Sequence, residues 1–318
     1  MSVDVSVVIC AHDPARWSQL QAAVASLDRQ RHPPAETVLV IDGNRPLFER
    51  ARAHWPGLTV VENVGRRGLG GARNTGICAS SGSVVAFLDD DAVASPEWLS
   101  AFVEHYADPD VAGVGGSIEA VWERERPAWF PAEFDWVVGC TYRGVPAVAH
   151  DVRNLLGCNM SFRRDLLDAL GRFRLGYGCD ETELCIRLRQ RWPQRRLVYA
   201  PRAKVWHRIP ASRARLRYFL RRCYFEGGSK AVVAELVGAR DGLASERRYT
   251  RQTLPDGVRR GVGDFLQRGD FDGVARAAAI VAGLTTTTVG FCAARMSLSR
   301  AADRRGWSGA SRITQVIP

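Results

Sequence analysis

The sequence predicts an α/β protein in which a sheet carries helices on both faces, and three observations predict it. Short runs rich in apolar and β-branched residues recur through the first half, at 5–9, 37–41, 59–62 and 84–88. Nearly continuous runs of that kind suit strands buried on both sides. Stretches with helical spacing separate them, so strand and helix alternate as in βαβ units. Polar and acidic residues follow the runs, at the end of an open sheet where such folds bind ligands. A chain of 318 residues is long enough for one large domain or two smaller ones, with a core that needs no disulfide or metal staple.

Taken in order, the first run (VSVVI) leads into Cys10-Ala11-His12-Asp13, followed by helical spacing over 20–27. The second (TVLVI) ends in Asp42-Gly43-Asn44, and the third is the short stretch 59–62. A segment with glycine and arginine, Asn63 to Asn74, then opens a helix-like stretch at 75–79. The fourth run ends in Asp89-Asp90-Asp91. Beyond Pro96 the pattern loosens. Residues 123–135 read as an irregular loop, 156–162 as a strand, 165–170 as a short helix and 180–191 as a charged helix. Two short strands, 197–200 and 203–206, flank Pro201. A helix is expected over 212–236, a polar linker around 239–257 and an apolar helical stretch from Val274.

Charge divides the chain. Residues 1–201 carry 22 basic and 25 acidic side chains, whereas 202–318 carry 22 and 9, so the excess of +10 lies in the last third. That pattern suits a near-neutral catalytic body with a basic C-terminal surface and excludes a uniformly basic nucleic-acid binder. The eight cysteines form no CxxC pair and read as small buried groups in a reducing compartment. Asp4, with no basic residue before Arg16, argues against a secretory signal, so a cytoplasmic location is expected.

Several groups carry potential chemistry. Three consecutive carboxylates at a strand end repel one another, and a hard divalent cation relieves that repulsion; the bland alternative is a solvated acidic turn. Four glycines and three arginines within 63–74 suit an anion held by backbone N–H groups and guanidinium forks, or else a flexible surface loop. It is neither a P-loop nor a dinucleotide fingerprint. Asp180-Glu181-Thr182-Glu183, after Gly176-Tyr177-Gly178, opens a helix. There the carboxylates either complement the helix dipole or supply a general base. His207 beside Trp206 is a structural imidazole or a metal ligand.

Seven ordered segments within residues 3–210 resemble the family 2 inverting glycosyltransferases of the GT-A fold. They are VSVVICAHDP, VLVIDG, GLGGARNTG, FLDDDAVASPEWL, LLGCNMSFRRD, GYGCDETELCIRL and VYAPRAKVWH. The resemblance implies a Rossmann-like mixed sheet with helices on both faces, of the nucleotide-diphospho-sugar transferase type, over 1–210. Residues 1–115 would form the nucleotide-sugar half and 116–210 the acceptor half, followed by a basic helical region over 211–318. It implies that Ala11, His12 and Asp13 line the base and ribose pocket and that Asp42 accepts a hydrogen bond from a uracil-type base. Arg73 would sit near the base or diphosphate, Asp89 at the ribose, and Asp91 with His207 on a Mn²⁺ or Mg²⁺ ion, with Asp90 between the outer aspartates. Gly157, Cys158 and Asn159 would border donor sugar and acceptor. The family's Glu-Asp catalytic pair is reversed here to Asp180-Glu181; position favours Glu181 as base and leaves Asp180 open.

The implied reaction moves a sugar from a nucleotide-diphospho sugar, a UDP-sugar by expectation, to an acceptor hydroxyl on a glycan or lipid-linked precursor. Competing readings are a sugar-phosphate nucleotidyltransferase and a non-catalytic membrane- or polyanion-binding module. Basic and aromatic residues interleave over 212–236, which suits an anionic membrane surface or a solvated helix. The expected placing is then peripheral, on the inner face of the membrane. The charge-free stretch 277–294 has 18 residues and falls short of a span, reading as a buried or interfacial helix.

Overall fold

The computed structural model describes residues 3–175, 179–238 and 249–303, with side chains of the last helix through Arg300. Two compact units emerge: Met1–Glu119 with Pro146–Leu175 and Asp180–His207, and Ala120–Val145 with Gly176–Cys179 and Arg208–Pro318.

The first unit is built on a mixed sheet. Strands β1 (Val5–Ala11), β2 (Glu36–Ile41), β3 (Thr59–Glu62) and β4 (Val84–Asp89) pair in parallel in the order β3-β2-β1-β4. Further strands are β5 (Ala92–Ala94), β6 (Val111–Trp122), β7 (His150–Val152), β8 (Asn159–Arg163) and β9 (Arg196–Ile209). β8 runs antiparallel to β4 and β6, while β5 and β7 pair antiparallel with β9. The last residues of β6 and β9 belong to the second unit.

Helices α1 (Trp17–Leu27), α2 (Arg45–His54), α3 (Leu69–Ala79), α4 (Trp98–Tyr106), α5 (Arg164–Leu170) and α6 (Asp180–Arg191) cover this sheet. Val8, Val38, Val40, Phe87 and Phe162 of the strands close on Ala72 and Ile77 of α3 and Leu184 of α6 in one apolar cluster. Val7 and Ile9, alternating with Val8 along β1, are equally buried, as two-sided coverage requires. Local chemistry sets the helix starts. The side chain of Asn44 accepts from the Leu47 amide and caps α2, with a proline in its first turn. Gly68, before α3, has φ +115°, a conformation open to glycine.

Several expectations change. The two short strands around Pro201 are one continuous strand, β9. Its pairing with β7 ends at Tyr199 and its pairing with β5 begins at Val205, so Pro201 lies in a gap where its missing N–H is not demanded on that side. The helix after the glycine segment begins at Leu69, six residues earlier than its apolar spacing indicated. Strand β5, before Pro96, and strands β6 and β7 and helix α4, beyond it, were not anticipated. The irregular loop over 123–135 ends in a 3₁₀ segment, Ala132–Val138. Gly176-Tyr177-Gly178 lies outside the described residues.

The second unit is helical: α7 (Leu216–Val237), α8 (Leu254–Arg268) and α9 (Phe271–Asp303). Of the expected linker, 239–248 lies outside the described residues, and 249–257 is already helical, a π turn at Tyr249–Thr253 running into α8. Glycines set the helix spacing. A Cβ at Gly227 would stand 2.0 Å from the Thr287 carbonyl oxygen, and one at Gly290 2.1 Å from that of Tyr224, so α7 and α9 meet backbone to backbone. Gly261 and Gly273 bring α8 against α9 in the same way. Phe219 anchors an aromatic cluster with Trp129, Phe130 and Phe134, at centroid separations of 5.2–5.6 Å. The stretch 277–294 lies inside the longer helix α9, of which Phe271–Arg300 is by length and composition long and apolar enough to cross a membrane, with a third of its most apolar window buried.

Candidate active site

The site lies at the carboxyl ends of β1, β2 and β4, within the first unit. Backbone bonds gather these ends: the Asp42 amide donates to the Ala11 carbonyl (2.8 Å), and Asn44 Nδ2 donates to the His12 carbonyl (3.0 Å). Ala11 is buried and His12 exposed, while Asp13 accepts from the Ala15 amide (2.9 Å) and starts a 3₁₀ turn. Asp42 organises the glycine segment. Its two carboxylate oxygens accept from Asn63 Nδ2 (2.7 Å) and the Gly68 amide (2.8 Å), and Asn63 Oδ1 in turn accepts from the Gly65 amide and the Thr75 hydroxyl. A flexible loop is therefore the poorer description of residues 63–68.

The three aspartates divide their partners. Asp91 meets His207 Nε2 at 3.0 Å and Arg16 Nη1 at 2.9 Å, while Asp90 meets the same Arg16 nitrogen at 3.0 Å. The β5–β9 register places Ala92 opposite His207, which is why a residue so distant in sequence reaches the acidic strand end. Asp90 and Asp91 are buried, and Asp90 Oδ2 has no hydrogen-bond partner. Burial, with neighbouring Asp91 adding to it, pushes the Asp90 carboxyl up to about 6 despite Arg16. Asp89 is also raised, chiefly by burial, against the pull of Arg73. An orphaned buried carboxylate oxygen and crowded negative charge fit a divalent cation, and the oxygen and imidazole donors suit Mn²⁺ or Mg²⁺.

Arg73 links this cluster to helix α6. Its side chain is 3% exposed and stands 3.7 Å from Asp89 and 3.9 Å from Glu181. Its Nη2 donates to the Gly157 carbonyl at 2.8 Å. A Cβ at Gly157 would come within 2.9 Å of Arg73 Nη2 and 3.4 Å of Glu181 Cδ, so glycine keeps this space open. Asp180 reaches the start of α3. Its Oδ2 lies 2.6 Å from where a Cβ would stand on Gly70. Glu183, fully buried, is held by Arg187 (2.8 Å) and Arg174 (3.2 Å), which makes it part of the helix packing.

The predicted residues thus do not all converge. Asp89, Asp91, Arg73, Glu181, Gly157, Cys158 and His207 fall in one region. Asn159 turns inward: its amide donates to the Ser117 and Ala203 carbonyls and accepts from Trp98 Nε1 at 2.7 Å, with no exposure. Sequence reasoning missed Arg16, which bridges two of the aspartates, and Asn63, which fixes Asp42. Asn63 directly follows β3, and that position was the signal available; Arg16 closes a 3₁₀ turn five residues past β1 and carries no such signal.

The model of glycosyl transferase family 2 matches residues 6–171, more than half of the chain. The chain belongs to glycosyl transferase family 2. It is a glycosyltransferase of the GT-A fold that uses nucleotide-sugar donors. Over 241 residues it is 33% identical to the glucosyl-dolichyl phosphate glucuronosyltransferase of Haloferax volcanii, covering 72% of this chain and 77% of that protein. Over 240 residues it is 31% identical to the pre-mycofactocin glycosyltransferase of Mycobacterium tuberculosis, covering 73% of this chain but only 47% of that one. Among solved structures, the mannosyltransferase PcManGT from Pyrobaculum calidifontis, in complex with GDP-Man and Mn²⁺, superposes with a TM-score of 0.58 at 19% identity. That match covers 90% of this chain and 87% of the other and speaks to the fold of this glycosyltransferase.

Proposed function

We propose that this glycosyltransferase is metal-dependent and inverting, and that it moves a sugar from a UDP-sugar to a hydroxyl of a lipid-linked glycan precursor. The observation that carries the reading is Arg73, buried between Asp89 and Glu181. It joins the acidic strand end to the carboxylate best placed as a base.

In this reading Ala11, His12 and Asp13 flank the nucleoside and Asp42 accepts from the base, with Asn63 and the Gly68 amide fixing its carboxylate. Asp89 faces the ribose. Asp91 and His207 would hold Mn²⁺ or Mg²⁺, with Asp90 braced behind them by Arg16. A divalent cation bound there supplies positive charge beside the diphosphate leaving group. Arg73 adds a fixed guanidinium to the same task and orients Glu181. Glu181 takes the proton of the acceptor hydroxyl as its oxygen attacks the anomeric carbon. The bond from that carbon to the diphosphate oxygen breaks with its electron pair, and nucleoside diphosphate leaves from the opposite face, which inverts the centre. Asp180, turned towards Gly70, positions the start of α6 rather than taking the proton.

The acceptor class rests on the Haloferax relative, named for a glucosyl-dolichyl phosphate, and on the second unit. There Arg215, Arg217, Arg221, Leu216 and Tyr224 are exposed on and before α7, and Val274, Val281, Val289 and Met296 on α9. Exposed apolar and basic groups together suit a peripheral site on an anionic cytoplasmic membrane face.

Thermal shift with a panel of nucleoside diphosphates, with and without Mn²⁺, tests the donor and metal site. A Mn²⁺-dependent, concentration-dependent rise with UDP, lost in Asp91→Asn, is expected. A rise with GDP alone would overturn the uridine assignment, and no rise with any nucleotide would overturn the metal site. Release of pyrophosphate during turnover would indicate nucleotidyl transfer instead. Liposome flotation tests the membrane surface: salt-sensitive binding to anionic vesicles is expected, and none would remove it.

A further inference from the structure

We propose that Cys158 makes the carboxyl end of β4 a binding site for a thiophilic divalent cation, Zn²⁺ in class, with Asp89 and His207 as the other protein ligands. A carboxylate oxygen of Asp89, the sulfur of Cys158 and a ring nitrogen of His207 all lie within 4.8 Å of one another. The sheet produces this juxtaposition. Because β4 and β8 pair with Leu88 opposite Asn159, Asp89 comes opposite Cys158; the β5–β9 pairing then brings in His207. Four-coordinate zinc has bonds of roughly 2.0–2.3 Å, so small side-chain rotations close the set around one ion. Cys158 and His207 are buried, whereas the Asp89 side chain is 29% exposed, which gives the ion an approach from the Asp89 side.

The donor-metal reading above needs only oxygen and imidazole donors and leaves the sulfur unused. A sulfur, an imidazole and a carboxylate together favour Zn²⁺ or Cd²⁺ over Mg²⁺ and Mn²⁺, which have weaker affinity for such donors. As the metal–sulfur bond forms, the thiol proton passes to solvent, so binding releases a proton. His207 is shared, so the thiophilic ion excludes the hard cation and blocks donor binding; this consequence rests on the donor-metal reading.

The test uses the full chain, metal-free, with the two exposed cysteines silenced as Cys78→Ser and Cys292→Ser. Titration with Cd²⁺ is followed by thiolate-to-metal charge-transfer absorption. One saturable equivalent is expected, displaced by excess Mn²⁺, with affinity falling tenfold or more in Cys158→Ser and in His207→Gln. A cadmium NMR resonance of a sulfur-ligated ion in the protein with Cys158 intact gives the same answer without depending on how the variant folds. An undiminished band in Cys158→Ser, or a resonance typical of oxygen and nitrogen ligands alone, overturns the proposal. If either occurs while Mn²⁺-dependent UDP binding persists, the thiol site falls and the glycosyltransferase mechanism stands. If Mn²⁺-dependent UDP binding is also absent, both fall.

Discussion

The two units of this protein bury different things. In the first, charged and polar groups are buried at the carboxyl ends of strands: Arg73, Asp90, Asp91, Asn159 and His207. In the second, helices close on one another through glycines and an aromatic cluster around Phe219, and the buried carboxylates Glu133 and Asp135 are each paired with an arginine, Arg260 and Arg126. Buried charge is expensive unless paired, so its concentration in one place marks chemistry. Glycine contacts carry no chemistry but allow little tolerance, because the neighbour is backbone and cannot move aside. The same substitution size should therefore cost turnover in one unit and stability in the other.

The largest effect tests the division inside the first unit. Glu181→Gln should lower kcat by about 10²–10⁴-fold with donor binding kept, the loss expected of a general base. Asp180→Asn, which alters a side chain turned towards Gly70, should lower it less than about tenfold on the same scale. Steady-state kinetics on both variants decides the matter, and the reverse order would make Asp180 the base. A fall in kcat for Gly227→Ala comparable to that of Glu181→Gln would break the contrast between the units.

Next comes Asn159, where a sequence motif and its geometry part company. Removing its amide leaves Trp98 Nε1 and the Ser117 and Ala203 carbonyls to lose partners in a site with no exposure. Asn159→Ala should cost about 3 kcal/mol, since each buried group left unpaired costs about 1–3 kcal/mol. Denaturant unfolding measures that loss. At low temperature the KM for acceptor should be unchanged, and a raised KM with unaltered stability would return Asn159 to the substrate.

That contrast shows what was legible. The strands of the parallel half announce themselves as apolar runs, and Asp42, Asp89, Asp91 and Glu181 stand out because carboxylates just past a buried strand, or at a helix start, are conspicuous. Asn159 lies in an equally conspicuous motif, yet whether its side chain faces a ligand or a neighbouring strand depends on β6 and β9, whose register no local pattern gives. Arg16 was invisible for the same reason: nothing near it in sequence points to aspartates some 75 positions away. Strand β9 reads as two because a proline ends most strands, and the gap between its pairings with β7 and β5 accommodates this one. In the second unit the glycines were countable, but which of them touch backbone is a property of the packing.

Two adjacent glycines in α7 sharpen that last point. Gly227→Ala drives a methyl group into the Thr287 carbonyl and should cost about 2 kcal/mol, in the range of overpacking. Gly228 has its nearest neighbour, the Cβ of Ala294, at 3.9 Å. Gly228→Ala should therefore stabilise by up to about 1 kcal/mol, through helix propensity alone. Melting temperatures of the pair should move in opposite directions. Parallel shifts would mean that α7 and α9 do not meet as described.

The smallest effect lies at the amino end of the sheet, as far from the chemistry as the strands allow. Glu36 accepts from the hydroxyls of Ser6 and Ser81, each at 2.7 Å, and from the Ser81 amide. Partial burial alone would raise its carboxyl, but these hydrogen bonds outweigh it and hold the group below its ordinary value. A carboxyl that is more acidic when folded stabilises the fold above its unfolded pKa, and that contribution disappears as pH falls through the folded one. Because the group is part-exposed, the contribution is ~0.5 kcal/mol or less. Glu36→Gln should therefore lower stability slightly at pH 7 and not at all once the carboxyl is protonated, with kcat unchanged throughout. Unfolding midpoints of both proteins from neutral pH into the acid range would trace the two curves as they converge; a constant offset would mean that Glu36 acts through packing rather than charge.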